Sequence, residues 1–303
     1  MRKLYSVGFT AALLLAGPRN AAAFCQATTC DPGAGYCSTD ANGCFVDGKP
    51  LFWVSNCITV SVQAAGAPKQ HIDFATARDS VSRAFAAWTG AACTGGPPSI
   101  TVHVQGPISC DASEYNPDRG NANIVVFRED SWPYTGGQDA LGLTRIHFDP
   151  ATGEIWDSDI EVNAVDEPLT VGAPSPNAVD LDSLLTHEAG HLLGLGHNTK
   201  DETATMFPGY HQGSIELRSL AADDIAGVCH IYPPNRGAAL SSCEPRHGYA
   251  DLCGSEQPSP PPAATSATTQ ASSCSLSAGK RAPRGAWALL LAATALSFRK
   301  RRR

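Results

Sequence analysis

The stretch THEAGHLLGLGHNTKDETATM, from Thr186 to Met206, holds three histidines and two glutamates, with three glycines between the first histidine and the last. His187 and His191 are four residues apart. On a helix that spacing puts both rings on one face, about one turn or roughly 6 Å apart. Two imidazoles so placed can share one zinc ion at about 2.0–2.1 Å each. Glu188 then projects beside the metal rather than onto it, which suits a base that takes a proton from water activated by zinc. His197 follows His187 by ten residues. In a continued helix it would lie roughly 15 Å further along the axis, too far to share the ion. The helix must therefore stop and the chain must double back. Gly194 can take the left-handed conformation that ends a helix, and Gly196 adds freedom before His197. Three neutral imidazoles leave zinc's fourth position for water, as a catalytic site needs. An ordinary amphipathic helix with incidental polar residues is the plainer alternative, but HExxHxxGxxH is far more restrictive than a bare HExxH.

These side chains need a scaffold. Phe74, Ala77, Val81, Phe85 and Trp88 recur at helical spacing, which predicts an amphipathic helix over Asp73 to Thr89. Strands are predicted at SITVHV (Ser99 to Val104), NIVVF (Asn123 to Phe127), GLTRIHF (Gly142 to Phe148) and IWDSDIEV (Ile155 to Val162), with a strand or two in LFWVSNCITVSV from Leu51. A second helix is predicted from about Asp180 to Leu193 and a third from Ala221 to Ile231. One helix, several strands and then two helices describe an α+β domain, of roughly 180 residues and large enough for its own core.

The 303-residue chain carries a formal net charge of −7, which argues against a nucleic-acid partner. Residues 1–23 read as a secretory signal peptide, with Arg2 and Lys3 before an apolar run and Ala21-Ala22-Ala23 before Phe24. Export fits the 11 cysteines, which pair in an oxidising compartment. Those between Cys25 and Cys253 form an even set read as disulfides, with the connectivity open, and Cys274 stands apart. Residues 24–48 form a Cys-rich lead-in and residues 49–235 the catalytic domain. Residues 236–273, rich in Pro, Ser, Thr and Ala, read as a linker that cannot bury a core. In residues 274–303, Cys274, an apolar run from Ala286 to Phe298 and an Arg-rich tail form a C-terminal sorting or membrane segment. The run is thin for a stable span, which favours a transient or removed tether over a plain anchor.

HEAGHLLGLGH resembles the metzincin zinc-binding motif, and TATMFPGY (Thr203 to Tyr210) resembles the methionine turn of that group. Met206 is the one methionine besides Met1. Within the metzincins, SVSRAFAAW, FDPATGEIWDSDIEVN and LAADDIAGVCHIY resemble matrixin segments, and the likeness runs from about Lys49 to Pro234. It implies a zincin-like catalytic domain, a twisted mixed sheet with three main helices, whose edge strand holds an extended peptide. It implies His187, His191 and His197 as zinc ligands, Glu188 as general base and Met206 as the turn residue. The expected activity is an exported or cell-surface zinc endopeptidase acting on protein or peptide substrates. The alternatives are a non-catalytic binding protein on the same fold and a zinc hydrolase of non-peptide amides. Cys274, the apolar run and the Arg-rich tail together resemble the MYXO-CTERM sorting signal of exported myxobacterial proteins, which implies processing near the cysteine.

Some features depart from the matrixin pattern. Asn198 succeeds the third histidine where vertebrate matrixins carry Ser, and no PRCG-type cysteine switch is present. A lead-in cysteine capping zinc is the minor alternative to disulfide pairing. His147 is the one histidine on the strands where the family's structural zinc takes several, so no second zinc is predicted. Asp157, Asp159 and Glu161 alternate and face one side of a strand. They could hold calcium (Ca2+), although a solvated acidic face is the commoner outcome. His71, His103, His211, His230 and His247 show no ligand spacing, and Asp223 and Asp224 are expected to start or flank the last helix.

Overall fold

The computed structural model describes residues 24–33, 35–134, 140–237, 242–254, 256 and, as a course of backbone, 270–278. The expected signal peptide and the tail beyond Ala278 lie outside the described residues. Three helices form within the spans that the sequence predicts. Helix α1 is Phe74–Thr89, α2 is Leu181–Leu192 and α3 is Ala222–Ile231. Asp73 caps α1 by accepting a 2.8 Å bond from the Thr76 N–H, and Asp180 caps α2 through the Ser183 N–H at 2.9 Å. Each cap satisfies a donor that the first helical turn leaves open.

The principal sheet has the order β10-β11-β5-β6-β4-β2-β3. Its strands are β2 (Cys57–Gln63), β3 (Thr101–Ile108), β4 (Ile124–Arg128), β5 (Ala140–Phe148), β6 (Ile155–Asn163), β10 (Gly209–Tyr210) and β11 (Gln270–Ala278). β2, β3, β4 and β6 pair in parallel, with α1 as the crossover between β2 and β3. β5 turns back antiparallel to β6, and β11 runs antiparallel to β5. Two short pairs complete the fold. β1 (Cys25–Gln26) joins β9 (Leu195–Gly196), and β7 (Leu169–Thr170) joins β8 (Val179–Asp180) ahead of α2. The architecture is the α+β mixed sheet with three main helices that the sequence predicts.

The main core lies between the sheet and the helices. Val81, Phe85 and Trp88 of α1 meet Leu181, Leu184 and Leu185 of α2 there. Each such side chain contributes about 1.5–3 kcal/mol when fully buried. Every residue of α2 is buried, so it is a central helix rather than an amphipathic one. Elsewhere Tyr115 stacks on His147 and Trp156, and Arg246 lies 4.5 Å above the Trp156 ring.

All ten cysteines from Cys25 to Cys253 are paired, as Cys25–Cys44, Cys30–Cys37, Cys57–Cys243, Cys93–Cys229 and Cys110–Cys253. The lead-in cysteines are therefore spent on each other and cannot cap a metal. Two bridges also correct the expected linker that starts at residue 236. Cys243 and Cys253 bond back to Cys57 and Cys110, so covalent attachment to the domain continues to Cys253. The compositional signal missed this because a disulfide holds a segment that has few apolar side chains to bury.

Candidate active site

α2 carries His187, Glu188 and His191 into the interior, all three fully buried. Leu193 closes the last turn, and Gly194 comes next in the left-handed region at φ +93°. A Cβ there would also stand 2.6 Å from the Leu51 carbonyl oxygen. The reversal expected at Gly194 is thus present and requires glycine. Gly196 differs from its expected role. It lies extended in β9, paired with Cys25, and does not use positive φ. The lead-in strand β1 therefore braces the segment that delivers His197.

The reversal brings three Nε2 atoms together. His187 and His191 are 3.1 Å apart, His191 and His197 3.0 Å, and His187 and His197 3.2 Å. Nitrogens at two corners of a tetrahedral zinc site are separated by about 3.3 Å, given bonds of about 2.0–2.1 Å. The second ring nitrogens fix the tautomer. His187 Nδ1 lies 2.6 Å from the Thr205 carbonyl and His191 Nδ1 2.9 Å from the Leu195 carbonyl. A carbonyl only accepts, so each Nδ1 donates its proton and each Nε2 presents a bare lone pair. Burial pushes His187 down to about 3 and His197 to about 4, and His191 falls well below its ordinary value for the same reason. Uncharged donors converging in a buried space fit a soft-to-borderline divalent cation, zinc above all.

Glu188 is placed by strand β5. Thr144 Oγ1 donates a 2.6 Å bond to Glu188 Oε2. Gly142 makes room, since a Cβ there would stand 2.8 Å from Glu188 Oε1. Neither residue was singled out from sequence. Both lie at alternate positions on one strand, but nothing local marks their partner, 44 residues away in the case of Thr144.

Met206 packs under α2. A Cβ on Gly190 would overlap Met206 Sδ and come within 2.6 Å of Trp88 Cζ2, so the helix can sit on the methionine because residue 190 has no side chain. Asp224 holds the turn. Its carboxylate accepts from the N–H groups of Thr205 at 2.7 Å, Met206 at 3.1 Å and Ala221 at 2.8 Å. Asp224 therefore caps α3, as expected, and also ties that helix to the turn below the histidines. Asn198, next to His197 in the chain, is buried and donates to Asp223 Oδ2 at 2.7 Å. A cleft of about 560 Å³ opens on the lead-in side of His197, walled by Gln26, Asp31, Phe45 and Thr199 among others.

The acidic residues of β6 are not a solvated face. Asp157, Asp159 and Glu161 are fully buried, because residues from outside β6 cover that face, Ser113 and Glu114 near the aspartates and Arg128 and Tyr134 at Glu161. Glu161 is met by Arg128 and Tyr134. Among the described residues, neither carboxylate oxygen of Asp157 has a hydrogen-bond partner, whereas Asp159 accepts from the Ile124 N–H at 2.9 Å and faces the Ser113 hydroxyl. His147 Nδ1 stands 3.6 Å from Asp157, but burial and Arg145 lower its pKa to about 4, so it is neutral near pH 7 and supplies no charge. Burial raises both aspartates well above the usual carboxylate range, Glu114 adding to the effect at Asp157 and Asp157 at Asp159. The cysteine-containing groups around His103 and Glu114 offer no thiolate, since all four cysteines are in disulfides.

Residues 99–233 match the sequence model of the matrixins, Peptidase_M10. Metalloendoproteinase 1-MMP of Arabidopsis thaliana is 31% identical over 216 residues, 68% of this chain and 51% of that protein. Metalloendoproteinase 1 of Glycine max is 29% identical over 188 residues, 58% of this chain and 52% of that protein. Human matrix metalloproteinase-16 is 36% identical over 108 residues, 36% of this chain and 17% of that protein. The chain spans about half the length of the two plant relatives. Matched sequence, mixed sheet and convergent imidazoles agree on one conclusion: residues 99–233 form a matrixin-type domain.

Proposed function

We propose that the chain is an exported zinc-dependent endopeptidase that hydrolyses peptide bonds of protein substrates. The observation that carries this reading is the convergence of three Nε2 atoms 3.0–3.2 Å apart, with Glu188 next to His187 in the chain and hydrogen-bonded to Thr144. His187, His191 and His197 would hold the ion, which when bound would polarise the scissile carbonyl and lower the pKa of water. Glu188 takes that proton on its carboxylate and passes it to the leaving amine. Thr144 keeps the carboxylate oriented while it does so. The substrate lies extended along β5, bound by backbone hydrogen bonds, and the cleft beside His197 receives side chains on one side of the cut bond.

Residues 1–23 direct export, and residues 274–303 carry a sorting segment that tethers the protein to the membrane for a time. Asp157 and Asp159 form a hard-cation site for calcium, supported by the two buried carboxylate oxygens of Asp157, which have no hydrogen-bond partner among the described residues. The catalytic reading is tested with Glu188→Ala. The variant is expected to keep zinc and to lose about 10²–10⁴-fold in turnover of an unfolded protein. Equal cleavage by variant and wild type would remove Glu188 from the mechanism.

A further inference from the structure

One edge of β5 pairs with β6, and the other is occupied by the chain itself. Gln270–Ala278 runs antiparallel along it, from Gln270 opposite Phe148 to Ser277 opposite Ala140. The register sets Cys274 across from Thr144 and Leu276 across from Gly142. Those are the two β5 positions that hold Glu188, one by its hydroxyl and one by its missing Cβ. On its far side the segment pairs in parallel with β10, Gly209 opposite Ser277 and Tyr210 opposite Ala278, just beyond Met206. It also lies against α2. An extended peptide added to a sheet edge is held chiefly by its main chain, and one edge accepts one strand at a time.

We propose that residues 270–278 are an in-cis strap that occupies the peptide-binding edge and competes with other peptides for it. This rests on the reading of β5 as the edge that binds substrate. The sequence QASSCSLSA suits a displaceable strap. It is uncharged and consists mainly of small residues, so it has little side-chain area to bury and binds through its backbone. Intramolecular attachment compensates. The segment is joined through residues 254–269 to Cys253, which Cys110 fastens to the domain. A short tether gives an effective concentration on the order of millimolar, enough for a weak strand to hold the edge against dilute peptides and to yield to a tighter or more concentrated one.

The test uses the full chain with Ser275→Pro and Leu276→Pro together. Successive N–H groups of a strand point to opposite edges, so adjacent prolines remove one donor on each side. The five disulfides lie outside the strap, so the variant should fold. Amide hydrogen exchange across Ala140–Phe148 is expected to quicken about tenfold or more in the variant. Adding excess free QASSCSLSA peptide should slow it again. In turnover of an unfolded protein, KM should fall by a similar factor with kcat unchanged, the signature of a lost competitor. Equal exchange in the two proteins, or an unaltered KM, would overturn the strap. If neither protein cleaves anything and the exchange difference persists, the strap stands and the peptidase reading fails.

Discussion

Thr144 on strand β5 donates a 2.6 Å hydrogen bond to the carboxylate of Glu188 on helix α2. The bond crosses from sheet to helix and fixes the orientation of the acidic side chain that follows His187 in the chain. A hydrogen bond to a charged group is worth about 1.5–3 kcal/mol, or roughly ten- to a hundredfold in rate if it acts only in the transition state. Thr144→Val keeps the shape and removes the donor. It is expected to lower kcat in that range with KM and zinc content unchanged, and Thr144→Ser should recover most of the loss. A matched fall in zinc content would make Thr144 a structural residue instead.

The fit between Gly190 and Met206 is expected to be as sensitive. A methyl group at 190 would meet Met206 Sδ and Trp88 in a closed interior. Overpacking of this kind costs about 1–3 kcal/mol. Gly190→Ala should therefore lower stability by that amount in chemical denaturation. In the double variant with Met206→Ala, the removed thioether leaves room for the methyl, so the combined loss should be smaller than the sum. Strict additivity would show that the two residues do not meet.

How much of this could be read from the sequence depends on how far apart the partners lie. The helix over Phe74–Thr89 follows from apolar spacing within its own segment, and Leu181–Leu192 and Ala222–Ile231 fall within the spans the sequence predicts. The turn at Gly194 follows from the impossibility of reaching His197 along a continued helix. Thr144 and Gly142 carried no such local mark, and neither did the hold of Asp224 on the turn at Thr205 and Met206, because each acts on a residue in another element. The acidic alternation at Asp157 and Asp159 has the same pattern whether the face meets water or another layer. Only the folded chain, which lays Glu114, Arg128 and Tyr134 over that face, decides that it is buried. The five pairings among ten cysteines are likewise a property of the folded chain.

The buried aspartates give the domain an expected dependence on pH and calcium. A carboxyl with a raised folded pKa keeps its proton after the unfolded chain has released its own. The folded state then binds more protons, and stability falls as pH rises above the ordinary value of 3.8 toward the folded pKa. Without added calcium and at constant zinc, the melting temperature of wild type is expected to drop relative to Asp157→Asn as pH rises above 3.8. Added calcium near pH 7 should raise the melting temperature of wild type and leave Asp157→Asn nearly unmoved. Identical pH profiles would mean that Asp157 is neutralised by other means, and an equal calcium response would move the cation elsewhere.

The bridges Cys57–Cys243 and Cys110–Cys253 are expected to differ in weight from the lead-in pair Cys30–Cys37. They join residues 186 and 143 positions apart, against 7 for the lead-in bridge. In the chain-entropy account the stabilisation grows with the logarithm of the closed loop, reaching about 4.7 kcal/mol for a loop of a hundred residues, although measured values centre on 2–4. Cys110 and Cys253 also belong to the small apolar cluster with Ile108, Ile124 and Val126, so the bridge holds a packing layer as well as a loop. Replacing both Cys110 and Cys253 by alanine should therefore cost about 2–5 kcal/mol, and the Cys30 and Cys37 pair less. The same replacement should speed amide exchange in β4, whose Ile124 and Val126 lose their cover. Equal melting temperatures for the two double variants would leave loop length and the small cluster without the role assigned to them.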